Sequence, residues 1–145
     1  EFNKYSFAEC GGYCGAANLS NTQLLYADLT DAVLRNVDLT DANLDYADLN
    51  NADLSYANLT DAYLYNADLT NADIRYANLT NAYLVGADLN NADLWSSDLT
   101  DADLRNADLT NAGFYGATVT NANFSGTIWS NTLWIDGMYY DTNQA

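Results

Sequence analysis

The chain has 145 residues, a formal net charge of −16 and a pI near 4.1, with no His, no Pro, 2 Cys and 12 Tyr. So acidic a surface excludes direct binding to a nucleic-acid backbone or an anionic membrane, because both carry its own sign. At 49% hydrophobic the chain is too apolar for an acidic disordered tail, no run of about 18 apolar residues crosses a bilayer, and its length fits one domain.

The first segment, residues 1–16, reads EFNKYSFAECGGYCGA and is expected to form an N-terminal cap. Its start at Glu1 fits a processed mature chain, and an extracellular or periplasmic location is expected on that reading. Cys10 and Cys14 flank Gly11 and Gly12, close enough for a local disulfide, and export would favour one. A metal site needs two more ligands, and a nucleophilic cysteine needs an activating base; His is absent, so neither is expected. Phe2, Tyr5, Phe7 and Tyr13 are available to cover whatever follows.

Residues 17–129 are a repeat. From Leu19 to Trp129 every fifth residue is apolar, giving 23 consecutive positions, of which 18 are Leu and the others Ile74, Phe114, Val119, Phe124 and Trp129. Ala stands two places before the large residue in 19 of the 23 units, with Thr22, Val37, Ser97 and Thr127 as exceptions. An interval of five scatters side chains around a helix and alternates them across a strand. Within a unit, however, the small and large residues are two apart and share one face of an extended stretch. The next inward pair starts three residues later, so a corner must absorb the odd step. Asn, Asp, Thr and Gly fill that corner, as residues that stabilise turns or tolerate left-handed backbone. The result is a chain that coils around a stack of Leu and Ala, a β-solenoid.

The units A-(D/N)-L-x-x, as in Ala67-Asp68-Leu69-Thr70-Asn71, resemble those of the pentapeptide-repeat family over roughly four fifths of the chain. The resemblance implies an all-β, right-handed quadrilateral β-helix with four units and twenty residues per coil, here about six coils with capped or stacked ends. Alternation supports an even number of faces. The residue after the large one is small and polar in alternate units (Thr30, Thr40, Asn50, Thr60) and variable in the others (Arg35, Asp45, Ser55, Tyr65), and three units per coil would mix the classes. At about 4.8 Å per layer the rod is about 28 Å tall.

Twenty residues per coil generate surface columns. One is Asp28, Asp48, Asp68, Asp88 and Asp108; a partner column, expected one face before it, runs Asn18, Asp38, Asn58, Asn78 and Asp98. A third is Ser20, Thr40, Thr60, Thr80, Thr100 and Thr120, and aromatics such as Tyr56 over Tyr76 gather on the two remaining faces. The Asp ladder reads as soluble turn-forming surface, as a strip holding Ca²⁺ weakly through hard oxygens, or as an imitation of DNA phosphates. The Thr column reads as a corner ladder or, less readily, as an ice-binding face.

Residues 130–145, with the preceding Trp129, form the aromatic terminus. Trp129, Trp134, Tyr139 and Tyr140 there, with Phe2, Phe7 and Tyr13 at the other end, are expected either to cap the open coil edges or to meet end to end between subunits. No catalytic set, phosphate loop or enclosing loop is present, so neither an enzyme nor a cofactor is expected. Two function classes follow. The preferred one is a secreted structural solenoid self-associating through its ends into a fibre or surface structure. The alternative comes from the resemblance: some members imitate DNA in shape and charge and protect a type II topoisomerase, DNA gyrase, from quinolones.

Overall fold

The computed structural model describes residues 16–140. Twenty parallel bridges join residues twenty apart, from Asn18 with Asp38 to Gly113 with Leu133, so each coil holds four five-residue units. The chain is a right-handed quadrilateral β-helix. Each side contributes one bridging residue to a ladder that runs along the rod, and the four sides are lettered here by their first bridging residues: A from Asn18, B from Gln23, C from Asp28 and D from Val33.

The corners share one geometry. The residue two after the large one has a positive φ in every unit from Ala16 to Asn131, and Gly supplies it only at Gly86, Gly116 and Gly126. The following N–H donates back to the carbonyl of the large residue, as Ala52 does to Leu49 at 2.9 Å. A positive φ at the third residue of a turn closed in this way is the type II signature. Asn and Asp occupy most of these positions with little strain, but Tyr26, Tyr46, Tyr56 and Tyr76 also sit there at φ of 57 to 60°. For a bulky residue that conformation costs about 1–2 kcal/mol. Stacked rings offset it: the Tyr26–Tyr46 centroids are 5.0 Å apart and the Tyr56–Tyr76 centroids 4.8 Å.

Inside, Ala and Leu point to the axis together, and the leucines at every fifth position from Leu19 to Leu109 are buried along with Ile74. Three exceptions to the Ala rule are explained by one carbonyl. The hydroxyls of Thr22, Ser97 and Thr127 donate to the carbonyls of Leu19, Leu94 and Phe124 at 2.6 to 2.7 Å, so the buried Ser97 and the half-buried threonines are satisfied without disturbing the coil.

At the C-terminal end the core turns aromatic. Trp134 packs 5.3 Å from Phe114, 5.3 Å from Phe124 and 4.7 Å from Trp129, closing the axis over the last coil. Strand β1 (Thr132–Leu133) continues side D and pairs antiparallel with β2 (Tyr139–Tyr140), Leu133 facing Tyr139. The hairpin therefore supplies the ladder partner that the upper edge of side D would otherwise lack.

Candidate binding surface

The bridging residue of a unit points outward, and its identity follows from a count of backbone donors. In Ala47-Asp48-Leu49-Asn50-Asn51, Ala47 N–H donates to Leu44, Asp48 N–H to Ala27, Leu49 N–H to Asp68 and Asn51 N–H to Thr70. The fifth donor, Asn50 N–H, goes to the carboxylate Oδ1 of Asp48 at 3.0 Å. The same bond recurs up side C from Thr30 to Asp28, Thr70 to Asp68, Asn90 to Asp88 and Thr110 to Asp108, at 2.9 to 3.3 Å. Where Asp or Asn stands before the large residue, it therefore satisfies the one N–H of its unit that the coil leaves over.

This role does not require charge. On side A the donors Thr60 and Thr80 use Asn58 and Asn78 in the same way, at 3.2 and 3.0 Å. Side C is different in using Asp at five successive levels, bridged Asp28 to Asp48, Asp48 to Asp68, Asp68 to Asp88 and Asp88 to Asp108. The ladder ends at Ile128, which bridges to Asp108 and is exposed.

The Asn18 column lies opposite the Asp28 column rather than one face before it. Ten residues separate Asn18 from Asp28, half of a twenty-residue coil, and the side between them is B, with Asn43, Tyr63, Tyr83 and Asp103. Ser20, Thr40, Thr60, Thr80 and Thr100 lie at the corner after side A, and their hydroxyls donate to the Asx oxygen at 2.6 to 2.7 Å. The protons an ice lattice would need are turned into the corner instead.

Aromatics occupy corners more than faces. One strip runs Tyr26, Tyr46 and Tyr65 at the corner between sides B and C, with Tyr83 of side B packed beside Tyr65; the other runs Tyr56, Tyr76, Trp95 and Tyr115 between sides D and A. These two corners are diagonal, and the Thr/Asn corners take the other diagonal, which is the alternation seen in the sequence.

Arg35 and Arg75 stand at the corner between sides D and A and Arg105 at the corner between B and C, each paired with aspartates of side D or B. Arg75 holds Asp73 at 2.6 Å and reaches Asp93 at 3.7 Å; Arg35 holds Asp53 at 3.1 Å and Arg105 holds Asp103 at 2.7 Å. The hydrogen bonds from Arg75 and Arg105 hold the carboxyls of Asp73 and Asp103 below the usual carboxylate range. Asp38 is lowered by the hydroxyl and N–H of Thr40. At Asp108 burial pushes upward, and bonds from Thr110 and Asn90 more than offset it. Among the described residues no group of three or more acidic or thiol side chains converges on a metal-sized site.

The terminal residues divide. Cys10, Cys14, Phe2, Phe7 and Tyr13 lie outside the described residues. Trp129 is buried and Trp134 half-buried in the aromatic cluster; Tyr140 is half-buried with its hydroxyl donating to Asp136 at 2.9 Å; Tyr139 is exposed. Gly113 is a feature that the sequence reading passed over, and its signal was available: it is the single Gly at a bridging position between Asn18 and Leu133.

The profile of the pentapeptide-repeats family matches in eight copies over residues 17–55, 52–91 and 87–126. The chain is a pentapeptide-repeat protein. Solved structures of pentapeptide-repeat proteins resemble it. HetL of Nostoc sp. strain PCC 7120, involved in heterocyst differentiation regulation, is 27% identical over 87% of this chain and 80% of its own, with a TM-score of 0.45. Rfr23 of Cyanothece 51142 is 29% identical over 90% and 96%, with a TM-score of 0.38. A trypsin-treated form of QnrB1, a plasmid-mediated fluoroquinolone resistance protein, is 20% identical over 78% and 67%, with a TM-score of 0.49. No curated protein matches the chain.

Proposed function

We propose that this pentapeptide-repeat protein is a non-enzymatic docking rod whose acidic wall occupies a basic protein surface of the kind that otherwise holds a nucleic-acid backbone. The observation that carries this reading is the in-register Asp column of side C, with each carboxylate fixed by an N–H two residues on. Fixed charges lose little freedom when a partner docks, and a row at about 4.8 Å presents anions nearly as densely as a strand of DNA at about 3.4 Å per phosphate along its axis. A net charge of −16 would also steer a cationic partner. A type II topoisomerase is the first partner to test. Inhibition of gyrase supercoiling at micromolar protein, lost in the Asp48→Asn/Asp68→Asn/Asp88→Asn variant, supports the reading; no inhibition, or equal inhibition by the variant, overturns it.

A second reading, end-to-end assembly of an extracellular or periplasmic structural solenoid, is favoured by apolar exposure at the C-terminal end, where Ile128, Met138 and Tyr139 are 55%, 60% and 65% exposed. Negative-stain images of concentrated protein should then show filaments, and strictly monomeric rods would exclude it.

A further inference from the structure

Side D carries a groove of about 400 Å³ at the level of Gly113, between Asn111 on one corner and Trp95 and Tyr115 on the other. Its floor is Gly113, with Asp93 one coil below and Leu133 one coil above in the same column. The opening exists because position 113 has no side chain, and nothing in the backbone requires that. Gly113 has no positive φ, and a Cβ there would meet nothing nearer than Asp93 Oδ1 at 3.7 Å. Gly86 and Gly126 differ, because at each of them a Cβ would overlap the Asn66 or Asn106 side chain below. The column elsewhere accepts Val33, Asp53, Asp73 and Leu133, so Gly113 is a notch in an otherwise filled face.

Two further glycines shape the aromatic wall. A Cβ on Gly116 would come within 3.1 Å of Ser96 Oγ and 3.6 Å of the Trp95 ring, and one on Gly137 within 3.3 Å of the Tyr115 ring. Tyr115 is thus seated against the terminal hairpin. The two rings are 6.1 Å apart and inclined at 62°, with Trp95 43% and Tyr115 48% exposed. Asp93 is oriented by accepting the backbone N–H of Trp95 at 3.0 Å, and its side chain is 48% exposed; its contact with Arg75, at 3.7 Å, is looser than the one Arg75 makes with Asp73.

From this geometry we infer that the groove is a binding site for an arginine side chain of a basic partner protein. A guanidinium stacks on an indole face, is attracted by the ring of a second aromatic, and bonds a carboxylate with its remaining donors. The charge of Asp93 beside the two rings favours a planar cation over a neutral sugar, which would gain nothing from the carboxylate's charge. The negative field of the rod adds charge complementarity. The groove stands on side D and is independent of the Asp ladder on side C.

The test is a titration with acetyl-Gly-Arg-Gly-amide and its neutral citrulline counterpart, followed through the Trp95 indole N–H resonance. The arginine peptide should move that resonance, bind about tenfold more tightly than the citrulline peptide, and weaken in salt. Gly113→Leu fills the notch with a residue the column already carries at Leu133, so it should fold, and should cost about tenfold or more in affinity. Asp93→Asn should reduce affinity severalfold, while the triple Asn variant of side C leaves it within about twofold because the sites do not share residues. Equal binding of both peptides, indifference to Gly113→Leu in a folded variant, or a Trp95 shift given by a neutral trisaccharide and not by the arginine peptide would overturn the inference.

Discussion

Asp68 sits in the middle of the side C ladder, bridged to Asp48 below and Asp88 above, and accepts the Thr70 N–H at 2.9 Å. Two opposing quantities meet there. Like charges one layer apart repel by about 1 kcal/mol in water, and near 0.15 M salt, with a Debye length of about 8 Å, roughly half of that remains. Removing the charge between two neighbours therefore relieves about 1 kcal/mol. Removing the acceptor strands a donor at a cost of about 1–2 kcal/mol. Asp68→Asn removes only the charge, since Asn58 shows that an amide oxygen serves the corner equally, and should stabilise by about 1 kcal/mol in moderate salt and by little in 1 M NaCl, where screening is short-ranged. Asp68→Ala removes both and should lie about 1–2 kcal/mol below Asp68→Asn at either salt concentration. Urea unfolding of the two variants at 0.15 M and 1 M salt reads this directly. If Ala and Asn behaved alike at both salt concentrations, the donor count that explains why most units carry Asp or Asn would be wrong.

Asn71 holds a corner at φ 59°; Asn71→Gly should be close to neutral in thermal melts, whereas Asn71→Ala should cost about 1 kcal/mol, and equal costs would contradict the left-handed corner. Leu69 is 1% exposed in the middle of the stack, so Leu69→Ala should destabilise by about 3 kcal/mol in urea, and a loss below about 1 kcal/mol would mean the core collapses freely. The Asp73 carboxyl is lowered by Arg75 from an ordinary value of 3.8; a lowered folded value gives stability that is present above 3.8 and disappears as pH falls through the folded value. The stability deficit of Arg75→Gln should accordingly be full at pH 6 and vanish in strong acid, and a deficit constant down to pH 2 would refute the pairing. Carboxylates committed to corner N–H groups and spread along a column form no chelating cluster among the described residues, so millimolar calcium should leave the melting temperature unchanged; a rise of several degrees would contradict this.

Much of this architecture was legible because a five-residue period is incompatible with a helix or a long strand, and the small-large pair two apart identifies which residues face inward. The twenty-residue register came from the resemblance together with the alternation, and the diagonal corners now give that alternation its physical cause. Less was legible on the surface. Placing the Asn18 column beside the Asp28 column failed because sequence gives the spacing of columns but not their order around the rod until the position of side B between them is counted. Tyrosine at positive φ ran against local propensity; only ring stacking between coils, a contact twenty residues apart, accounts for it. Gly113 was passed over, and its meaning appeared only when its φ and its empty surroundings separated it from Gly86 and Gly126.

The sharpest measurement is the coupling across a single backbone hydrogen bond. In isotopically labelled protein, the amide nitrogen of Leu49 should show a through-bond coupling to the carbonyl carbon of Asp68, its acceptor at 2.7 Å. Coupling instead to Tyr63 or Asp73, the partners that coils of three or five units would provide, would dissolve the Asp column, the groove at Gly113 and every surface argued from them.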